Sequence, residues 1–182
     1  QIALINNIEF DHADIYSSLD EILLQFRRLM QLVPRNGCLI INGGEPNLKA
    51  LAENAPCPVI AFSIKGKADV RGELIEISPE GMRFGLKLAA GQYVECRSTL
   101  WGEHQLANLV AAAAAAEFAG VSPLQIVAGI EAFRGVRRRM ELKFNRGGSW
   151  FYEDFAHHPT AIKAALAGLK ARHPGVTITV AF

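Results

Sequence analysis

Apolar runs of strand length alternate with segments of helical spacing along the first third of the chain, and this order constrains the fold most. The strand-like runs are 2–5, 38–41 and 59–62, and the segments predicted as helices are 19–33 and about 48–53. Alternation of this kind favours a parallel sheet, because a crossover helix returns the chain to the edge from which it started. The sequence therefore predicts an α/β fold.

The middle of the chain changes character. Apolar and polar residues alternate along 82–88, and a Ser-Pro-Glu-Gly turn separates this run from another strand-like run at 70–77. Two or three antiparallel strands are predicted here. An alanine-rich helix should follow from Gly102 to about Phe118, and the pair Ser122 and Pro123 should cap and begin the next helix. We expect a mixed sheet covered by helices.

The last segment predicts a further β-α-β unit of the Rossmann type. Its strands are 142–144, 150–152 and 176–182, and its helix includes 162–169. We place a domain boundary between 1–134 and 135–182, with the hinge near the arginines at 134–139. The abrupt, strand-like start and the end at the last predicted strand are typical of an internal piece of a longer protein.

Composition excludes several classes of function. The formal net charge is +1 and basic residues are not interleaved with aromatic ones, so no nucleic-acid partner is indicated. The three cysteines, Cys38, Cys57 and Cys96, form no Cys-x-x-Cys pair, which argues against a disulfide framework or structural zinc and fits a reducing cytoplasm. The longest small-apolar run, 109–116, is too short to span a membrane. We expect no membrane partner.

Asp11, His12 and Asp14 directly follow the first strand and precede a helix. Carboxylates and an imidazole at the carboxyl end of a strand can hold a divalent ion. Residues of these types also form turns and caps, which is the commoner reason to find them in such a loop. Both interpretations remain open on spacing alone.

Glu103, His104 and Asn108 fall in the first turns of the alanine-rich helix. Four-residue spacing puts His104 and Asn108 on one face, and Glu103 lies favourably near the positive end of the helix dipole. An asparagine amide offers a donor and an acceptor, so the pair could read an adenine edge. The alternative is that both side chains satisfy groups at the helix end.

A basic group follows, and its members are Arg134, Arg137, Arg138, Arg139 and Lys143. Guanidinium groups suit phosphate oxygens, so a polyphosphate at an interdomain hinge is a natural partner. A solvated run of charge is the ordinary alternative.

The run Glu153-Asp154-Phe155-Ala156-His157-His158-Pro159-Thr160 ends a predicted strand and begins a helix. Proline at the first helical position with an acidic residue ahead of it is ordinary helix-entry chemistry, which accounts for Asp154 and Pro159. It does not account for the paired His157 and His158, which lie where open α/β sheets present ligands.

The four patterns occur in the order and approximate spacing of Mur ligases, and the chain resembles that family over essentially its whole length. The resemblance runs from midway through the central ATP-binding domain into the first β-α-β unit of a Rossmann-like carboxyl-terminal domain. The sequences around Asp11-His12-Ala13-Asp14 and Phe155-Ala156-His157-His158 are similar to those of one branch of the family. That branch joins L-Ala-γ-D-Glu-meso-diaminopimelate to UDP-N-acetylmuramate in peptidoglycan recycling.

The resemblance implies ATP and Mg²⁺, with UDP-N-acetylmuramate and the murein tripeptide as substrates. ATP would phosphorylate a carboxylate, and an amine would then displace phosphate. By the same resemblance His12 would be a magnesium ligand, His104 and Asn108 would hold adenine, and Arg139 would reach the ATP phosphates. Asp154 would contact the nucleotide from the second domain.

The resemblance also gives roles to the paired histidines and their neighbour. His157 would be catalytic together with Arg139. Phe155, His157 and His158 would contact the muramate substrate.

Some residues depart from the family pattern. No Gly-x-x-x-x-Gly-Lys-[Ser/Thr] phosphate loop is present, since Gly66-Lys67 is followed by Ala68. Gln105 replaces an asparagine common after the histidine, and Arg27 and Arg28 stand where some relatives have a carbamylated lysine. We therefore expect the chain alone to be inactive.

Three alternatives remain at this point. The first is a UDP-N-acetylmuramate–L-alanine ligase of the same family. The second is a metal-dependent hydrolase in which His12, Asp14, His157 and His158 form one site. The third is a non-catalytic nucleotide-binding module.

Overall fold

A six-stranded mixed sheet dominates the computed structural model, which describes residues 1–181. The strands are β1 (Ile2–Ile5), β2 (Cys38–Asn42), β3 (Val59–Ser63), β4 (Val70–Ser78), β5 (Gly81–Lys87) and β6 (Tyr93–Ser98). They lie side by side in chain order. Neighbours from β1 to β4 are parallel, and β4, β5 and β6 are antiparallel. The predicted α/β class and mixed sheet are confirmed.

Helices cover both faces of this sheet. They are α1 (Leu19–Gln31), α2 (Pro46–Ala52), α3 (Glu103–Phe118) and α4 (Pro123–Ala132). β2 shows why two layers are needed, because Cys38 and Ile40 point into a core shared with α3 and α4, whereas Leu39 and Ile41 point into a core shared with α1 and α2. Side chains alternate along a strand, so an apolar strand needs cover on both faces.

α3 packs very closely against β4. A Cβ atom added at Gly72 would lie 2.4 Å from Cγ2 of Val110, so only glycine fits there without a shift. The small side chains of Ala111, Ala113 and Ala114 are buried in the same core. The predicted alanine-rich helix is therefore confirmed, and its alanine run forms a face for close packing.

The remaining elements are a hairpin and a helix. The hairpin pairs β7 (Glu141–Arg146) with β8 (Ser149–Glu153), and α5 (Pro159–Arg172) follows. Gly147 and Gly148 form the two-residue turn with φ of 58° and 78°. Positive φ at both central residues is the type I′ pattern that matches the twist of a hairpin.

The predicted strand at 176–182 is wrong for the part that the structure describes. Residues 176–181 form no strand, and Val176 and Val180 are exposed. Phe182 lies outside the described residues. The physical reason is that a strand needs a neighbour for its backbone groups, and β8 pairs with β7 and not with this segment.

A small cluster joins the hairpin and α5 to the end of the large sheet. Trp101, Met140 and Ala165 are buried in it, and Tyr152 and Leu169 pack against them. The Tyr152 and Trp101 rings meet edge to face, with centroids 5.6 Å apart. α5 is thereby held beside the start of α3.

Within residues 1–181 the helices all fall short of the length and apolarity that crossing a membrane would require. The longest of them, α3, has 16 residues.

Candidate functional site

A cleft of about 700 Å³ lies at the carboxyl ends of the first parallel strands. Asn6 and Asn7 follow β1, Asn42 ends β2, and α5 closes the cleft with His158 and Thr160. This is the edge where open α/β sheets bind ligands. The cleft is therefore the first candidate site.

His12 lines this cleft in an unusual backbone conformation. Its φ is +56°, and its N–H donates to Oδ1 of Asp11 at 2.8 Å. That hydrogen bond is the main cause that lowers the pKa of the Asp11 carboxyl, with smaller contributions from the charges of His12, His158 and His157. Left-handed backbone in a residue other than glycine is uncommon and is found at turns and functional sites.

The proposed metal hydrolase finds no support in the side-chain geometry. Among residues 1–181 no three His, Cys, Asp or Glu side chains are grouped so as to hold a metal ion. Hydrolytic zinc sites need about three protein ligands around the ion. The prediction that His12, Asp14, His157 and His158 form one metal centre is wrong.

A second cavity, of about 390 Å³, brings together residues that the sequence assigned to nucleotide binding. His104, Asn108, Arg139 and Asp154 all line it. His104 and Asn108 come from α3, whereas Arg139 and Asp154 come from the segment after 134. The cavity therefore lies between the two predicted domains.

Burial sets the character of His104. It lowers the pKa of the imidazole, and the nearby Asp154 carboxylate opposes this effect in part. The ring is therefore biased toward its neutral form, in which one nitrogen donates and the other accepts.

Asn108 is held from the opposite side by the loop after β1. Its Oδ1 accepts a hydrogen bond of 2.9 Å from Nδ2 of Asn6. Among the described residues the amide nitrogen of Asn108 has no protein partner. That nitrogen remains available as a donor toward the cavity.

Asp154 ties the hinge to the end of β8. Its Oδ2 accepts from the Met140 N–H at 2.8 Å, and its Oδ1 accepts from the Ala156 N–H at 2.7 Å. The Phe155 N–H donates to the carbonyl of Arg138 at 2.8 Å. Asp154 therefore does not serve the start of α5 as the helix-entry interpretation expected, since the N-cap of α5 is His158. Sequence reasoning missed its contact with Met140, because a partner 14 positions away cannot be read from spacing.

The basic group does not act as one cluster. Arg138 pairs with Glu153 at 3.1 Å, and Lys143 lies between Glu141 and Glu153 at 3.1 and 3.3 Å. Arg139 instead lies with its guanidinium 5.6 Å from the centroid of the Phe155 ring. Arg138 and Lys143 are thus paired with carboxylates at the surface, while Arg139 lines the second cavity.

The paired histidines point to different places. Nδ1 of His157 lies 3.0 Å from the carbonyl oxygen of Phe155, the two rings meet edge to face, and both residues are exposed. Neither lines the two cavities described above. His158 turns the other way, and its Nδ1 lies 3.1 Å from Oε2 of Glu9. His158 is the one that lines the cleft.

Sequence reasoning gave no separate role to Glu9, although Glu9 lies in the run that precedes His12 and contacts His158 in the site. Besides His158, it accepts hydrogen bonds from Thr160 at 2.7 Å and from Asn7 at 2.9 Å. Its place three residues before His12 was visible in the sequence. Its contact with Thr160, which lies 151 positions further along the chain, could not be read from the sequence.

Comparison with known proteins decides the family. The Mur ligase middle domain matches residues 1–116. The chain belongs to the Mur ligase family.

Individual relatives span nearly all of this chain. A UDP-N-acetylmuramate–L-alanine ligase of Rubrobacter xylanophilus is 37% identical over 170 residues, which is 91% of this chain and 36% of that protein. The Escherichia coli K12 ligase for UDP-N-acetylmuramate and L-alanyl-gamma-D-glutamyl-meso-2,6-diaminoheptandioate is 33% identical, over 98% of this chain and 38% of that protein. This Mur ligase chain thus spans less than half the length of these curated relatives.

A solved structure agrees with the fold. The crystal structure of MurF from Acinetobacter baumannii superimposes with a TM-score of 0.83 at 26% identity, and covers 93% of this chain and 37% of its own. The likeness extends beyond residue 116, where the middle-domain match ends.

Proposed function

We propose that the whole protein to which this Mur ligase chain corresponds is an ATP-dependent ligase that forms an amide bond on UDP-N-acetylmuramate. The observation that carries the proposal is the cavity lined by His104, Asn108, Arg139 and Asp154. These four residues were assigned to nucleotide binding from motifs, and their meeting around one cavity supports the assignment. We propose the boundary between the two domains at residues 134 and 135.

The chemistry has two steps. The carboxylate of the muramate attacks the γ-phosphorus of ATP, the bond to the β-phosphate oxygen breaks, and an acyl phosphate and ADP result. The amine then attacks the carbonyl carbon, phosphate leaves with the electron pair of the broken C–O bond, and the nitrogen loses a proton. The main demands are charge neutralisation and positioning.

This chain would contribute to both demands. Arg139 would place its guanidinium against phosphate oxygens, because the fork of N–H donors matches them in geometry and charge. The amide nitrogen of Asn108 would donate to a ring nitrogen of adenine, with neutral His104 beside it. Asp154 would act through the hinge that it fastens, since both of its oxygens already accept backbone hydrogen bonds. His157 would face the reacting groups and Phe155 and His158 the muramate substrate.

Mg²⁺ fits here only in part. Residues 1–181 do not themselves surround an ion, but Mg²⁺ usually takes one or two protein ligands and completes its shell with water and phosphate oxygens. His12, at the mouth of the cleft, would be one such ligand. When bound, the ion would offset charge on the phosphate oxygens.

For the incoming amine we propose the tripeptide L-Ala-γ-D-Glu-meso-diaminopimelate. The proposal is supported by the sequences of the runs Asp11-His12-Ala13-Asp14 and Phe155-Ala156-His157-His158, which resemble those of the ligases that use this tripeptide. The second candidate is L-alanine, which the 37% identity with an L-alanine ligase favours. Both products would serve cell-wall synthesis, and both reactions use the same activated muramate.

The test uses the full-length protein with ATP, Mg²⁺ and UDP-N-acetylmuramate. Each amine is supplied in turn, and ADP and the ligated product are measured by chromatography. We expect product with the tripeptide and much less with L-alanine. Product with L-alanine alone would assign the second candidate, and no ADP with either amine would overturn the ligase proposal.

The nucleotide pocket has its own test in the same assay. Asn108→Ala should raise the KM for ATP about tenfold, the effect of one lost hydrogen bond in a binding site. Asn54→Ala, at an exposed position after α2 that lines neither cavity, is the matched control and should leave the KM unchanged. An unchanged KM in Asn108→Ala would contradict the adenine assignment.

The isolated chain separates the ligase from the nucleotide-binding module. Without a phosphate loop it should bind ADP weakly or not at all in calorimetry. Tight binding by the 182 residues alone would favour the module instead.

A further inference from the structure

We propose that Glu9 is a positioning residue whose carboxylate fastens the start of α5 over the cleft. In the ligase reaction it would thereby set where the paired histidines lie relative to the nucleotide. The contact itself follows from geometry, whereas its catalytic consequence rests on the proposed function.

The Glu9 carboxylate contacts three other side chains. Oε2 of Glu9 accepts from the Thr160 hydroxyl at 2.7 Å and lies 3.1 Å from Nδ1 of His158. Oε1 accepts from Nδ2 of Asn7 at 2.9 Å. The bond from Asn7 orients the carboxylate within its own loop, so that the other oxygen faces α5. Glu9 and His158 are both about two-thirds withdrawn from solvent, which strengthens the hydrogen bonds that the carboxylate accepts.

The start of α5 has no stabilising side chain of its own. This helix of 14 residues has His158 at its N-cap with no capping hydrogen bond from the side chain, and it has no acidic residue in its first turn. The start of a helix carries partial positive charge and unsatisfied N–H groups, and negative charge nearby stabilises it. Glu9 supplies that charge from the other end of the chain.

α5 contacts the rest of the chain at two places that differ in polarity. Near its C-terminal half, α5 packs Ala165 and Leu169 against Trp101 in an apolar cluster. Near its start, the Glu9 contact is polar and lies at the cleft. The polar contact at Glu9 can break without exposing apolar surface. The start of α5 can therefore move away from the cleft while the apolar cluster near its C-terminal half stays packed, and Glu9 opposes this movement.

The contact is tested on the 182-residue chain by amide hydrogen exchange. Glu9→Ala should raise exchange about tenfold at residues 162–164, whose N–H groups are the first to bond within α5, as expected for the loss of a charge-assisted hydrogen bond, and leave the hairpin unchanged. Glu53→Gln, an exposed carboxylate directly after α2, is the control. Exchange at 162–164 equal to that of the control would overturn the proposal.

Milder variants guard against misfolding. Glu9→Gln and Thr160→Val each remove part of the contact, and their effects on exchange should not add in the double variant, because both act on one contact. Additive effects would show that the two side chains act independently, and would also overturn it.

The positioning role is tested in the full-length protein. Glu9→Gln should lower kcat about tenfold and change the KM for ATP much less, since His104, Asn108, Arg139 and Asp154 all lie outside α5. An unchanged kcat despite faster exchange would overturn the role in catalysis. If the unaltered protein formed no ADP, the ligase function would fail, whereas the exchange result would still decide whether Glu9 fastens α5.

Discussion

The large sheet and the hairpin are built from the same kind of strand but bury it very differently. In β2 the first four residues are at most 3% exposed, whereas in β7 every residue after Glu141 is exposed. The large sheet has a core on each face, while the hairpin and α5 share one cluster of three buried residues with the rest of the chain. The first region can thus hold its own fold, and the second depends on contacts with the first.

The most direct way to break this comparison is to delete one ring from each region. Phe84, on β5, is fully buried, whereas Phe144, on β7, is 51% exposed. Phe84→Ala should lower the free energy of unfolding by about 3–5 kcal/mol, and Phe144→Ala by less than about 1 kcal/mol. Urea unfolding measures both. A larger loss for Phe144→Ala would mean that the hairpin carries a core of its own.

Two glycines sharpen the comparison, because alanine should act with opposite sign at each. At Gly72 the added Cβ would lie 2.4 Å from Val110, which should cost about 1–3 kcal/mol. At Gly168 its nearest neighbour would be Cε1 of His104 at 3.5 Å, an ordinary contact, and alanine favours a helix by up to about 1 kcal/mol. Thermal unfolding measures the difference, and destabilisation by Gly168→Ala would show that α5 sits tighter than this.

Asp154 links the segment before β7 to the end of β8, where the sequence predicts a hinge. Asp154→Asn replaces an acceptor with a donor, so one of the N–H groups of Met140 and Ala156 loses its partner. We expect a loss of about 1–2 kcal/mol in urea unfolding and faster exchange at residues 138–140. Glu153→Gln, which breaks only exposed ion pairs, is the control and should cost less than about 0.5 kcal/mol. Equal losses would mean that the hinge is held by surface charge.

The smallest effect concerns pH. Burial lowers the pKa of His104, beside the first region, and of His173, at the end of α5. A lowered pKa in the folded chain means that the unfolded chain binds the proton first, so stability is full above the ordinary histidine pKa and falls as pH drops toward the folded value. Urea unfolding from pH 8 to pH 5 should show this decline, and His104→Gln should reduce it. An unchanged slope in that variant would place the effect at His173.

The large sheet could be predicted from the sequence because its signals are local. Ser122 and Pro123 begin α4 as expected, and the alternation along 82–88 gives β5. The segment 176–182 reads as a strand for the same local reason. Pairing decides whether it forms one, and no strand of the described residues lies beside 176–181.

The candidate site divides in the same way. The resemblance to Mur ligases assigned His104, Asn108, Arg139 and Asp154 to the nucleotide, and all four line one cavity in the structure. Motif spacing could not reveal that both carboxylate oxygens of Asp154 accept hydrogen bonds from backbone N–H groups. It could not separate His158, which lines the cleft, from His157, which does not, because the direction of each side chain depends on distant partners such as Glu9.

The turn at Gly147 and Gly148 has a practical consequence. Both residues are exposed, both belong to a tight turn at the tip of the hairpin, and neither lines a described cavity. Loop tips of this kind accept inserted sequence, and a longer loop adds little closure entropy. A fluorescent reporter inserted between the two glycines would be attached to the hairpin. Its signal would therefore report any change in the position of the hairpin relative to the large sheet.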